Sequence, residues 1–295
     1  MENKETRRVR FNIFDLLILL LVAAVGVGVL ALRNRAAGTE TGRETVPMRC
    51  TVEFVRAAHG MSEALHVGDS VYRSTDGTYI GKLVDFTAVP HREIEYSALA
   101  GAFVAYDYRE TDDLYMTIEG DCYATEREVM FGSVPVRIGS ELAVKGRGYA
   151  KVGYVVGLDR MGAEMPENTA AISGDGTAVY TIAFDDTRSF FADNIHVGDR
   201  FYEYKTGGFL GIVEDVSMTP YGETKLDAEG TPQWAEKPDR YTILVRLRGG
   251  FVDKPDGYYL GGTSELKTGA FVTVESQYIT RMGIYSSIES IEAAP

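Results

Sequence analysis

Two histidine–aspartate pairs stand at matching places in the sequence: His66 with Asp69, and His196 with Asp199. A further carboxylate follows each pair, Asp85 and Asp215. Such residues at close spacing are the raw material of metal ligation and of general acid–base catalysis. A zinc site needs three or four ligands, however, and the chain holds 4 His and 2 Cys. The donor supply is therefore short. Each motif also reads as a turn. In His-Val-Gly-Asp the glycine (Gly68, Gly198) frees the backbone and the aspartate bonds nearby amides. Gly81 and Gly211 then precede Asp85 and Asp215 in the next strand, where a glycine marks a bulge or a close backbone approach. The expectation is a structural turn motif, with no catalytic residue, no cofactor and no metal.

Cys50 and Cys122 are compatible with one disulfide or with two buried thiols, and both readings stay open. No phosphate-binding loop, dinucleotide glycine fingerprint, G-x-S-x-G or H-E-x-x-H occurs. Four aromatic residues, Tyr106, Tyr108, Tyr221 and Trp234, fall in segments that vary between the two halves. Exposed aromatics on loops bind a glycan or a partner. Equally, each segment folds back over its own domain.

These motifs recur because the chain is an internal repeat. Residues 51–90 align with 181–220 at an offset of 130, with 11 identities, among them Phe54/Phe184, Gly77/Gly207 and Pro90/Pro220. Each unit opens with alternating apolar residues and continues in short runs broken by turn signals such as Asp76-Gly77 and Gly207-Gly208. The reading is mainly β: two tandem small β-barrel or sandwich domains of about seven short strands each. Their expected limits are 48–158 and 178–292, with a linker at 159–177. Pro90 and Pro220 are expected to end their strands, with insertions at 91–112 and 221–239.

Ahead of the repeats lies Phe11–Leu32, whose only ionisable residue is Asp15. About 20 apolar residues span a hydrocarbon core of ~30 Å as a helix. A signal-peptide core is usually shorter. Four basic residues precede the run, and the more basic side tends to stay cytoplasmic. The expectation is a cytoplasmic tail at 1–10, an uncleaved single-pass helix at 11–32, a stalk at 33–47, and the bulk of the chain outside the cytoplasmic membrane. The whole chain carries −13 and its first 35 residues are net basic, so the remainder is strongly acidic. That excludes a nucleic-acid partner on electrostatic grounds.

The joined features are Asn12, Ile13, Asp15, Leu16 and Leu17 at the start of the span, the Val-Gly-Asp turn, and Gly77, Gly81 and Asp85. Together they resemble a family of bacterial single-span envelope proteins known as domain of unknown function 4330. The resemblance implies an anchored extracytoplasmic β-domain with no assigned activity. Phe184, Val197-Gly198, Gly207 and Gly211-Ile212-Val213 also resemble the order of features in MCE-type lipid-transport domains. That likeness implies hexameric rings with a pore loop between the last two strands, here Gly146–Lys151 and Ser276–Arg281. The first of these is basic and glycine-rich. The functional expectation is a non-enzymatic envelope scaffold or adaptor with protein partners or a homo-oligomeric state. The alternative is an oligomeric subunit carrying a hydrophobic ligand.

Overall fold

In Cys50-Thr51-Val52-Glu53-Phe54 every second residue is apolar, so an extended chain buries one face and wets the other. The computed structural model follows this pattern. It describes residues 45–124, 127–160 and 172–294. The expected span, its flanks and the centre of the expected linker lie outside the described residues.

The first repeat comprises β1 (Val46–Ala58), β2 (Ser70–Arg73), β3 (Tyr79–Ser97), β4 (Ala102–Ala124), β5 (Val129–Phe131), β6 (Val134–Val136), β7 (Glu141–Lys145) and β8 (Ala150–Arg160). A 3-10 turn, His59–Ala64, follows β1. The second repeat comprises β9 (Gly176–Thr187), β10 (Arg200–Glu203), β11 (Phe209–Leu226), β12 (Pro232–Lys254), β13 (Gly257–Leu260), β14 (Ser264–Glu265), β15 (Phe271–Glu275) and β16 (Thr280–Ala293). A single helical turn, α1 (Phe190–Asp193), follows β9.

β1 pairs with both β8 and β4, so the order β1-β8-β7-β2-β3-β4 closes into an antiparallel barrel of six strands. The β5–β6 hairpin is added to the end of β4. The second repeat closes in the same order, β9-β16-β15-β10-β11-β12, with β13–β14 appended. Six strands enclose a space that side chains fill. Val52, Phe54, Leu83, Met116, Ile118 and Val144 fill the first barrel, each fully buried. Ile182, Phe184, Val213, Val245, Leu247 and Val274 fill the second.

Each repeat thus has eight strands rather than about seven. The hairpins β5–β6 and β13–β14 are too short to show an alternating pattern. The two expected insertions are also strands. β3 with β4, and β11 with β12, run on past the barrel as long two-stranded arms, pairing from Arg92↔Asp107 to Ser97↔Ala102 and from Gly222↔Glu236 to Leu226↔Pro232. The prolines do not end these strands. Pro90 pairs with Asp112 and Pro220 with Tyr241, and the register shifts immediately after each. An arm has free edges, so a proline without an amide hydrogen is tolerated there.

Candidate functional site

The repeated turn motif is built on the same backbone hydrogen bonds in both repeats, while the bond from His196 N to Asp199 Oδ2 at 2.8 Å has no counterpart at Asp69. Gly68 and Gly198 sit at φ 97° and 95°. Gly68 N donates to Leu83 O at 2.7 Å, and Gly198 N to Val213 O at 2.8 Å. Asp69 N reaches His66 O at 3.0 Å, and Asp199 N reaches His196 O at 3.0 Å. A glycine at positive φ in the third position is the signature of a type II turn. Both histidine rings are exposed, with Nδ1 at 3.8 Å from the aspartate Oδ2 in each repeat. A Cβ on Gly81 would lie 2.3 Å from Glu119 O, and one on Gly211 2.5 Å from Arg248 O. These glycines let adjacent strands cross closely at a bulge. Asp85 and Asp215 stand exposed beyond it, opposite Thr117 and Arg246. Among the described residues, no group of three or more His, Cys, Asp or Glu could hold a metal ion.

Cys50 and Cys122 are free buried thiols. Cys122 Sγ donates to Val46 O at 3.3 Å. Burial pushes its pKa up to about 12, and that of Cys50 further still. Neither ionises at neutral pH, so both are chemically quiet.

A polar network lies elsewhere, where the arms leave the barrels. Arg56 and Asp186 occupy equivalent places at the ends of β1 and β9, and both adopt left-handed backbone, φ 52° and 48°. For a residue with a side chain that costs on the order of 1–2 kcal/mol. Each anchors an arm. Arg56 Nε donates to His91 Nε2 at 3.0 Å, and Arg56 Nη2 pairs with Glu93. His91 is buried, and its Nδ1 lies 2.8 Å from Asp113 Oδ1. The imidazole is therefore assigned as the neutral Nδ1–H tautomer, donating to Asp113 and accepting from Arg56. In the second repeat the charges are reversed. Asp186 accepts from Lys237 Nζ at 2.8 Å and lies 3.7 Å from Arg240 Nε.

Between the arm bases is a cleft of about 440 Å³. Arg56, His91, Arg92 and Glu93 line one side, and Lys237 and Arg240 the other. Val55, Ile94 and Pro238 supply apolar wall. The Asp113–His91–Arg56 series resembles a proton relay in layout. It ends on a guanidinium, which does not deprotonate, so no nucleophile is activated. Its effect is to hold Arg56 in place.

Of the four aromatic candidates, none is on a loop. Tyr106 and Tyr108 lie on β4, Tyr221 on β11 and Trp234 on β12. Tyr108 packs beside His91 with ring centroids 5.9 Å apart, and the Arg56 guanidinium sits 5.3 Å over its ring. A hydrogen bond to Glu93 raises its phenol pKa. The indole of Trp234 lies across Gly222, where a Cβ would meet the ring at 2.7 Å. Trp234 remains 64% exposed, and Leu99 at the tip of the first arm 92%. The tips are neighbours, since a Cβ on Gly101 would lie 3.2 Å from Gln233 Oε1. The cleft itself was not legible in the sequence. His91 and Asp113 are brought together by a bulge after Pro90, and the opposite wall comes from the other repeat.

Two buried acids lock the barrels together. Glu53 is 2% exposed although its position in β1 points outward. It pairs with Arg188 and accepts from Tyr115 Oη at 2.8 Å. Burial, reinforced by Glu53, pushes the Tyr115 phenol up to about 12. Burial acts to lower the Arg188 pKa, but Glu53 more than offsets it and the net shift is upward. On the other side Glu275 pairs with Arg127 and with Arg137 Nη2 at 2.6 Å. Asn194 Oδ1 accepts from Leu158 N at 3.1 Å, and Ile138 N donates to Tyr278 O at 2.7 Å.

The fold and site define a class: a two-barrel β-protein whose repeats are joined by buried ion pairs and carry paired surface arms. The chain belongs to the family described as domain of unknown function DUF4330, which matches residues 2–159. The match ends at β8, so the second barrel lies beyond it. No curated protein and no solved structure matches the chain.

Proposed function

We propose that the protein is a non-enzymatic, membrane-anchored envelope protein whose two barrels hold the arms outside the cytoplasmic membrane as a docking surface for envelope partners. The carrying observation is that both barrel interiors are filled by the protein's own side chains, while aromatic and aliphatic residues are exposed on the arms. Work is thus expected on the outer surface rather than in a lumen. Exposed aromatic clusters beside polar rims mark interaction sites. The span at 11–32 supplies the anchor by length and composition, although no helix among the described residues is long and apolar enough to cross a membrane. A ring made by repeating the inter-barrel contact would set Lys145 against Lys267, the equivalents of Glu275 and Arg137. Like charges there disfavour the transport-ring alternative through this face.

Thiol labelling tests the placement. Cys50 and Cys122 are buried, so an added thiol reports alone. Leu99→Cys should react with a membrane-impermeant maleimide in spheroplasts. Reaction only after lysis would contradict the proposal.

A further inference from the structure

We infer that the cleft between the arm bases is a binding site for an oxyanion, a phosphate or carboxylate group carried on a small ligand with an apolar body. The chain carries −13, yet Arg56, Arg92, Lys237 and Arg240 line this cleft with Glu93, while the other carboxylates near these cations, Asp107, Asp186 and Glu223, stay outside the lining. Cations gathered in a concave site focus potential on an anion entering it.

The existing ion pairs leave donors available. Arg56 spends Nε on His91 and Nη2 on Glu93, leaving Nη1. Arg92 is engaged through Nε with Asp107 at 2.8 Å, leaving both terminal nitrogens. Arg240 lies 3.7 Å from the Asp186 carboxylate, beyond hydrogen-bond distance, and its Nη1 reaches only the Asp186 carbonyl at 3.4 Å. Planar guanidinium edges of this kind match the paired oxygens of carboxylate and phosphate. Ile94 and Pro238 would meet the ligand's apolar part.

The site is also held in place beforehand. Arg56 is fixed by buried His91, which is fixed by Asp113. Lys237 is held by the Asp186 carboxylate, and Arg240 Nη1 reaches the Asp186 carbonyl. Both anchors, Arg56 and Asp186, carry left-handed backbone. Left-handed backbone at Arg56, a cleft-lining residue with a long side chain, is the pattern expected where geometry is maintained for binding.

The test is calorimetric titration of the full-length protein in detergent with inorganic phosphate and, separately, with dihexanoyl phosphatidic acid. Saturable one-to-one binding with Kd at or below about 1 mM is expected for at least one probe. Arg92→Gln and Lys237→Gln, both at solvent-reached positions, should each weaken it several-fold. Arg49→Gln, a surface cation away from the cleft, should leave it unchanged. Tighter binding of the phosphatidic acid than of phosphate is the expected order, and equal binding of the two probes would overturn the apolar-bodied ligand. A linear, unsaturable response to both probes would overturn the inference. So would saturable binding that Arg92→Gln and Lys237→Gln leave intact while circular dichroism shows them folded.

Discussion

The two repeats share individual backbone hydrogen bonds at their turns and differ at the side chains that bridge one repeat to the other. Gly139 N donates to Val155 O at 2.7 Å, and Gly269 N to Tyr285 O at 2.8 Å. Ser74 N meets Ala143 O at 2.8 Å, as Tyr204 N meets Thr273 O at 2.8 Å. Yet Glu53 has Ala183 as its equivalent, Tyr115 has Leu244, and Glu275 has Lys145. At the arm bases Arg56 corresponds to Asp186. Barrel closure constrains strand crossings and turns, so those positions stay alike. The facing surfaces are free to diverge, and here they have become complementary. The cleft and the inter-barrel ion pairs are therefore properties of the pair, and neither repeat holds them alone.

The largest effects should be shared. Phe54→Ala and Phe184→Ala each empty the centre of a barrel and should each cost about 3–5 kcal/mol in denaturant unfolding. A near-zero cost at either position would break the equivalence of the barrels. Next comes a contrast. Glu275→Ala leaves two arginines facing an emptied buried site and should cost about 3 kcal/mol. Lys145→Ala at the equivalent place should stay within about 0.5 kcal/mol. Equal effects would mean that the interface does not depend on the divergent residues.

Smaller again is the turn. Gly68→Ala and Gly198→Ala force a side chain into positive φ and should each cost on the order of 1 kcal/mol. A pH scan sharpens the contrast further. Tyr115 has its folded pKa raised from 10.0 to about 12. Its contribution is complete below pH 10 and is lost as pH rises through about 12. Alkaline unfolding should shift in Tyr115→Phe across that window. Tyrosine difference absorbance at matched pH checks the assignment.

Much of the barrel was legible because closure imposes local signs: alternating strands, a Val-Gly-Asp turn, a glycine at each crossing. The duplication doubled those signs. The first arm does show alternation, Glu93-Ile94-Glu95-Tyr96, but Pro90 and Pro220 read as strand ends, so what followed them read as insertions. Glu53 was hidden for a different reason. An acid at an outward strand position reads as exposed until a second domain covers it. The cleft required both facts at once. His91 was visible only as a histidine without a counterpart, and nothing local joined it to Asp113 or to Lys237 across the repeats.

Differential scanning calorimetry of the full-length protein, beside Glu53→Gln and Glu275→Gln combined, tests the central claim most directly. If the repeats act as one body through their buried ion pairs, the unmodified protein unfolds in a single transition, and the double variant separates into two. Two independent transitions in the unmodified protein would contradict the account.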